Sequence, residues 1–202
     1  DADHDDLKAR VSEKKNFMDG ESYVAEIHGS AVAGVIAASI NGSGIEGVAP
    51  EASIIALRAC RQVSAENPEG DCRSDSLARA LDEAIDQRAH IVNMSFGTPH
   101  YDSLLARLID NGKEKGILFV APASNVKNDK RLRFPASHPA VIAVGGLDEK
   151  MNPYPNNDIA KASCACAPAL NILTTVPGNK HNFLNGTSLS SAYISGILAL
   201  AL

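Results

Sequence analysis

The chain has 202 residues, is 45% hydrophobic and 21% charged, and carries a formal net charge of −5. That is apolar material for one sizeable core in one domain, and the negative balance removes the electrostatic case for nucleic-acid binding. Basic residues gather only between Lys127 and Arg133, which reads as a solvated loop, and no stretch reaches membrane-spanning length.

In chain order, His28-Gly29-Ser30 opens a run of small apolar residues ending at Ser39, which predicts a closely packed helix whose first turn faces a cleft. Gly44 to Pro50 then turns into a buried strand over Ser53 to Ala59. Leu77, Ala78, Leu81, Ala84 and Ile85 fall at helical spacing and predict a helix over Ser74 to Arg88. A strand follows over His90 to Ser95, then a second amphipathic helix over Ser103 to Lys115 stopped by Gly116. Ile117 to Ala121 and Val141 to Val144 read as further buried strands. From Thr187 an apolar helix, with Ile194, Ile197, Leu198 and Leu200, is expected to lie in the core. Short β-branched strands alternating with helices predict an α/β domain with a mainly parallel sheet. The longest irregular stretches, 61–71 and 124–135, are placed to border a binding site.

Cys60 and Cys72 bracket a polar loop, and the spacing leaves a disulfide and two free thiols equally open. Cys164 and Cys166 are alternate residues of a strand-like segment, where a direct bridge is strained, so two half-buried thiols are expected.

Two distant segments carry chemistry. His28 can take a proton, and Ser188, in Asn185-Gly186-Thr187-Ser188, can attack a carbonyl from what reads as a helix N-terminus. There the helix dipole and free N–H groups favour developing negative charge. Alone, Thr187 or Ser188 would read as a simple N-cap, and a lone histidine before glycine as structural.

Together with Gly47-Val48-Ala49-Pro50, Asn93-Met94-Ser95-Phe96-Gly97, Val120-Ala121-Pro122-Ala123-Ser124-Asn125, Phe134-Pro135-Ala136-Ser137 and Ala167-Pro168, these segments resemble the subtilases, the subtilisin-like serine proteases. The resemblance covers residues 1–202 as a partial peptidase domain and implies a three-layer α/β fold around a mainly parallel sheet. It implies His28 and Ser188 as catalytic residues and the Asn125 side chain with the Ser188 N–H as oxyanion donors. It also implies Ser95, Phe96, Gly97 and Ala123 as walls of the substrate cleft. Losing one oxyanion donor costs such enzymes roughly 2.7–4 kcal/mol of transition-state stabilisation. The resemblance requires no cofactor, leaves room for a structural calcium ion and assigns no metal ligand. The loop from Asn41 to Gly44 is short and hardly acidic for a tight calcium site. A protein or peptide is the implied substrate, with no nucleic acid or membrane, and a secreted or periplasmic location is expected.

The family's aspartate motif is missing. Asp1-Ala2-Asp3-His4-Asp5-Asp6-Leu7 is similar to the segment that follows that motif, so the resemblance puts the aspartate and its strand, central in the sheet, before Asp1. The chain is therefore expected to be processed or partial, relying on a missing N-terminal segment or a propeptide. Asp1 or Asp3 as replacement is the lesser alternative, because this acidic cluster reads as a solvated surface run. Without the aspartate, turnover in such enzymes falls on the order of 10⁴-fold. Smaller departures include Ala31 for a second histidine, Ser124 and Ala169 for glycines, Ala192-Tyr193 for Pro-His, and Leu189 for methionine. A pseudoprotease that keeps the fold as a binding or scaffold module is the rival reading. An α/β-hydrolase esterase fits poorly, since no Gly-x-Ser-x-Gly elbow surrounds Ser188.

Overall fold

The computed structural model describes residues 1–64, 70–124, 131–154 and 163–202. Strand β1 (Val11–Asn16) pairs in parallel with β2 (Ile54–Arg58), and helix α1 (Ile27–Ala37) lies between them in sequence. No apolar pattern predicts β1: its VSEKKN is charged and at most half-buried, as suits a strand at a sheet margin. A short hairpin follows, β3 (Cys60–Gln62) against β4 (Gly70–Cys72), in which Cys60 and Cys72 face one another and form a disulfide. Of the two alternatives the spacing left open, the bridge is the one present. Cys164 and Cys166 form no disulfide; Cys166 is half-buried as expected, but Cys164 is exposed.

Helix α2 (Ser74–Asp86), β5 (Ile91–Asn93), α3 (Ser103–Glu114), β6 (Leu118–Pro122) and β7 (Val141–Leu147) come next. They lead to β8 (Pro153–Tyr154), β9 (Ala165–Pro168), β10 (Ile172–Val176), β11 (Lys180–Leu184) and α4 (Thr187–Leu200). The main sheet pairs β5, β6, β7 and β9 in parallel, with β8 antiparallel to β7. Alternation of side chains along a strand makes the layers. Phe119, Ala121, Val141 and Ala143 meet Leu81 and Ile85 of α2 and Leu105 and Ile109 of α3 in one core cluster. Val120 and Val144, of opposite parity and fully buried, face the other side, where α4 packs across β5, β6, β7 and β9. The result is an α/β fold with a mainly parallel sheet between helices.

The local rules account for the helix limits. The Asp102 carboxylate accepts from the Leu104 and Leu105 N–H groups and caps α3, and Gly116, at φ +88°, ends the turn that follows it. Helix α4 departs from expectation. It is buried from Thr187 to Ala192 and again at Ser195 and Gly196, but Ile197 and Leu200 are exposed. No described element covers its last turn, so its apolar pattern outlasts its burial.

The parallel sheet is interrupted. Among the described residues β2 pairs only with β1, and β5 only with β6. Between them runs a cleft of about 1360 Å³, lined by Ile54, Ile55 and Leu57 on one bank and Ile91, Val92 and Asn93 on the other.

The bridged cysteines stand 12 residues apart, and closing a loop of that length contributes about 3 kcal/mol in the chain-entropy description. Urea unfolding of the Cys60→Ser/Cys72→Ser variant should therefore give a folding free energy lower by about that amount.

Candidate active site

His28 is the second residue of α1, and several elements moor that end of the helix. The N-cap Glu26 makes no side-chain cap bond, because its carboxylate receives Arg58 Nε at 2.9 Å and a terminal Arg58 nitrogen at 2.6 Å. The Ile27 N–H, orphaned as helix-terminal donors are, is capped instead by Gln62 Oε1 of the disulfide-bonded hairpin at 3.1 Å. Ser30 Oγ donates to the Glu26 carbonyl at 2.7 Å. From β10, the Thr174 hydroxyl donates to Ala31 O at 2.6 Å and the Thr175 hydroxyl to Ser30 O at 2.8 Å. This approach needs Gly34, since a Cβ there would sit 2.4 Å from Thr175 Oγ1. The His28 ring is half-buried, and desolvation holds its pKa below the ordinary histidine value.

Ser188 is the second residue of α4 and is buried, with its N–H among the helix donors that lack an intrahelical partner. The turn into α4 is made at Gly186, whose φ of +144° suits glycine, and the Gly186 N–H is tied to Ala169 O at 2.8 Å. His28 and Ser188 line the same cleft, together with Ser95, Phe96, Gly97 and Ala123. No hydrogen bond joins His28 to Ser188 among the described residues. The expected wall residues differ in what they present. Gly97 is exposed and Phe96 half-buried, whereas Ala123 is fully buried with its N–H on Val144 O at 2.8 Å. The Ser95 hydroxyl turns to the carbonyl of Ser188, 3.2 Å away. Asn125 lies outside the described residues.

No described carboxylate bonds to His28. The two Asp1 oxygens accept from the N–H groups of Gly178 at 3.1 Å and Asp3 at 3.2 Å, and the Asp3 carboxylate receives Lys14 Nζ at 3.2 Å.

A family model described as "Subtilase family" matches residues 1–202. The chain belongs to the subtilase family. It is 33% identical over 210 residues to the major intracellular serine protease of Bacillus subtilis (strain 168), covering 99% of this chain and 64% of that protein. To subtilisin DY of Bacillus licheniformis it is 32% identical over 206 residues, covering 100% of this chain and 72% of the relative. The minor extracellular protease Epr of Bacillus subtilis (strain 168) is 34% identical over 208 residues, covering 98% of this chain and 30% of Epr. The chain thus spans under two thirds of the first of these relatives, and their names include both intracellular and extracellular proteases.

One polar cluster in this subtilase corrects the sequence reading. His4 and Asp6, expected in a solvated acidic run, are each only 1% exposed. The chain bends so that His4 Nδ1 accepts the Asp6 N–H at 3.1 Å while His4 Nε2 donates to Lys180 O at 3.0 Å. The Asp6 carboxylate accepts from His181 Nε2 at 2.7 Å, Asn41 Nδ2 at 2.9 Å and the Ile45 N–H at 3.1 Å. His181, for which the sequence offers no partner pattern, has one in Asp6, which their distance in sequence conceals. The two imidazoles and the carboxylate come within 4.8 Å of one another. Both His4 nitrogens and both Asp6 oxygens are already bonded within the chain, so the group is a hydrogen-bonded clasp. Burial works to raise the Asp6 pKa, but the bonds from His181, Asn41 and Ile45 outweigh it and hold the carboxyl below its ordinary value.

A depressed carboxyl pKa stabilises the fold above the unfolded value of about 3.9, and that contribution is lost as pH falls through the lower folded value. Acid unfolding followed by circular dichroism should show this loss below about pH 4. Asp6→Asn should remove that part of the pH dependence and lower stability at neutral pH by about 1–3 kcal/mol.

Proposed function

We propose that this chain forms the greater part of a serine endopeptidase. The observation that carries the reading is that His28 and the helix-terminal Ser188 line one cleft. In the proposed reaction Ser188 Oγ attacks a peptide carbonyl while His28 accepts its proton and returns it to the leaving amine. The Ser188 N–H and the Asn125 side-chain amide hold the oxyanion, and a second addition by water releases the acid. Phe96 and Gly97 border the bound peptide. Neither a metal nor a cofactor enters these steps.

The third member is an aspartate on a strand preceding Asp1. The interrupted sheet supports this reading: β2 and β5 each leave an edge without a described strand partner, and their facing banks are apolar. An extended segment with apolar side chains on both faces would pair with both edges. An aspartate at its end would supply the carboxylate that His28 lacks among the described residues, fixing its tautomer and stabilising the imidazolium. The Cys60–Cys72 disulfide supports an oxidising, extracytoplasmic location. A pseudoprotease is the second reading, favoured by a His28 ring that is desolvated and has no described carboxylate partner.

A fluorophosphonate probe separates the two. The full-length gene product should form an adduct on Ser188, lost in Ser188→Ala, and this chain alone should react on the order of 10⁴-fold more slowly. A folded full-length protein with unmodified Ser188 would sink the protease reading. NMR titration offers an independent check: His28 in this chain should titrate below about 6.5, and above its value here once a carboxylate lies beside it.

A further inference from the structure

Beneath Ser188, four polar side chains link the end of β5 to α4. Ser195, two turns along the helix, donates its hydroxyl proton to Asn93 Oδ1 at 3.0 Å. The other end of that amide, Asn93 Nδ2, donates to Ser95 Oγ at 2.7 Å. Ser95 Oγ lies 3.0 Å from Ser191 Oγ and 3.2 Å from the Ser188 carbonyl oxygen. Ser191 donates to that same carbonyl at 2.8 Å. Ser191 and Ser195 are buried, at 0% and 2% exposure, while Asn93 and Ser95 are half-buried on the cleft wall.

The proton inventory gives the set one direction. Each serine has a single hydrogen to donate, and the two ends of an amide are not equivalent. With Oδ1 accepting from Ser195, the N–H end of the Asn93 amide faces Ser95. Ser95 then accepts from Asn93 and has its own hydrogen left for Ser191 or the Ser188 carbonyl. The Ser191 hydrogen is on that carbonyl already. Donation therefore runs from Ser195 through Asn93, Ser95 and Ser191 and ends on the peptide group of the nucleophile.

We propose that Ser195 and Asn93 are positioning residues for Ser188. Ser195 sets the orientation of the Asn93 amide, and through Ser95 and Ser191 the amide holds the peptide plane between Ser188 and Leu189, and with it the Cα that carries Ser188 Oγ. The same bonds lock the cleft wall to the nucleophile, so the distance from bound peptide to attacking oxygen does not vary as the wall is loaded. This inference rests on the protease reading.

Two substitutions test it in the full-length gene product. Ser195→Ala removes the hydrogen that orients the amide and changes little volume. Asn93→Asp keeps the shape but puts an acceptor where Ser95 needs a donor, so the Ser95 hydrogen turns back toward position 93. Each should lower kcat and the fluorophosphonate labelling rate of Ser188 roughly tenfold with KM little changed, the pattern of a misplaced nucleophile. The rate of Asn93→Asp relative to the unsubstituted protein should recover as pH falls and the new carboxyl gains a proton to donate, a response that loss of packing would not give. Circular dichroism and thermal unfolding establish that each variant is folded, and Ser195→Ala, the milder change, carries the test if Asn93→Asp is not. Folded variants that label and turn over at the unsubstituted rate overturn this inference alone. Failure of the unsubstituted protein to label overturns the protease reading and this inference together.

Discussion

Ala31, Val32 and Val35 of α1 pack against Leu189 and Ala192 of α4, with Ile172 of β10 closing the cluster. His28 lies one turn before Ala31, and Ser188 immediately precedes Leu189, so this apolar contact sets the relation between the two side chains. The side chains facing each other are mostly small, which lets the helices approach closely and leaves few ways to slide. Gly196 makes the same kind of demand further along α4, where a Cβ would meet Val48 Cβ at 2.6 Å. The placement of His28 and Ser188 in the cleft is downstream of helix packing.

Polar bonds refine what the apolar contact begins. The start of α1 is fixed from Arg58 through Glu26 and from Gln62 through the Ile27 N–H, while Thr174 and Thr175 hold carbonyls of its first turns. The start of α4 is fixed through the Gly186 N–H and the Ser188 carbonyl. His28 and Ser188 thus sit on rigid helix termini supported by bonds to strands, an arrangement suited to the roles proposed for them. The disulfide stiffens the hairpin that supplies Gln62, so a covalent staple on the surface reaches the histidine helix through one side-chain cap.

The legibility of these features in sequence followed how local each one is. Helices α2 and α3 appeared in the 3.6-residue spacing of their apolar residues, because each buries one stripe. Helix α1, small and apolar all round, has no such stripe and was legible through His28-Gly29-Ser30. The β10–β11 hairpin was not legible: its five residue pairs leave Leu173 and Phe183 exposed while Thr174 and Thr175 are fully buried, the reverse of an ordinary inside-outside pattern. Those threonines are inside because α1 offers them carbonyls. Asp6 was misread for a related reason, since charge in a run of acidic residues says nothing of a partner 175 positions away. The last turn of α4 was misread because apolarity shows what could be buried, not whether anything arrives to bury it.

The cleft between β2 and β5 divides the molecule unequally. His28 and Ser188 are both bound into the α1–β10–α4 packing on one side, and the β1–β2 pair forms the opposite bank. That bank is not independent of the histidine, since Arg58 of β2 bonds the N-cap Glu26 of the His28 helix. Two open strand edges facing each other also form a template that selects by backbone geometry before any side chain is compared. Under the proposed function, a segment entering the divide meets His28 and Ser188 already held by that packing.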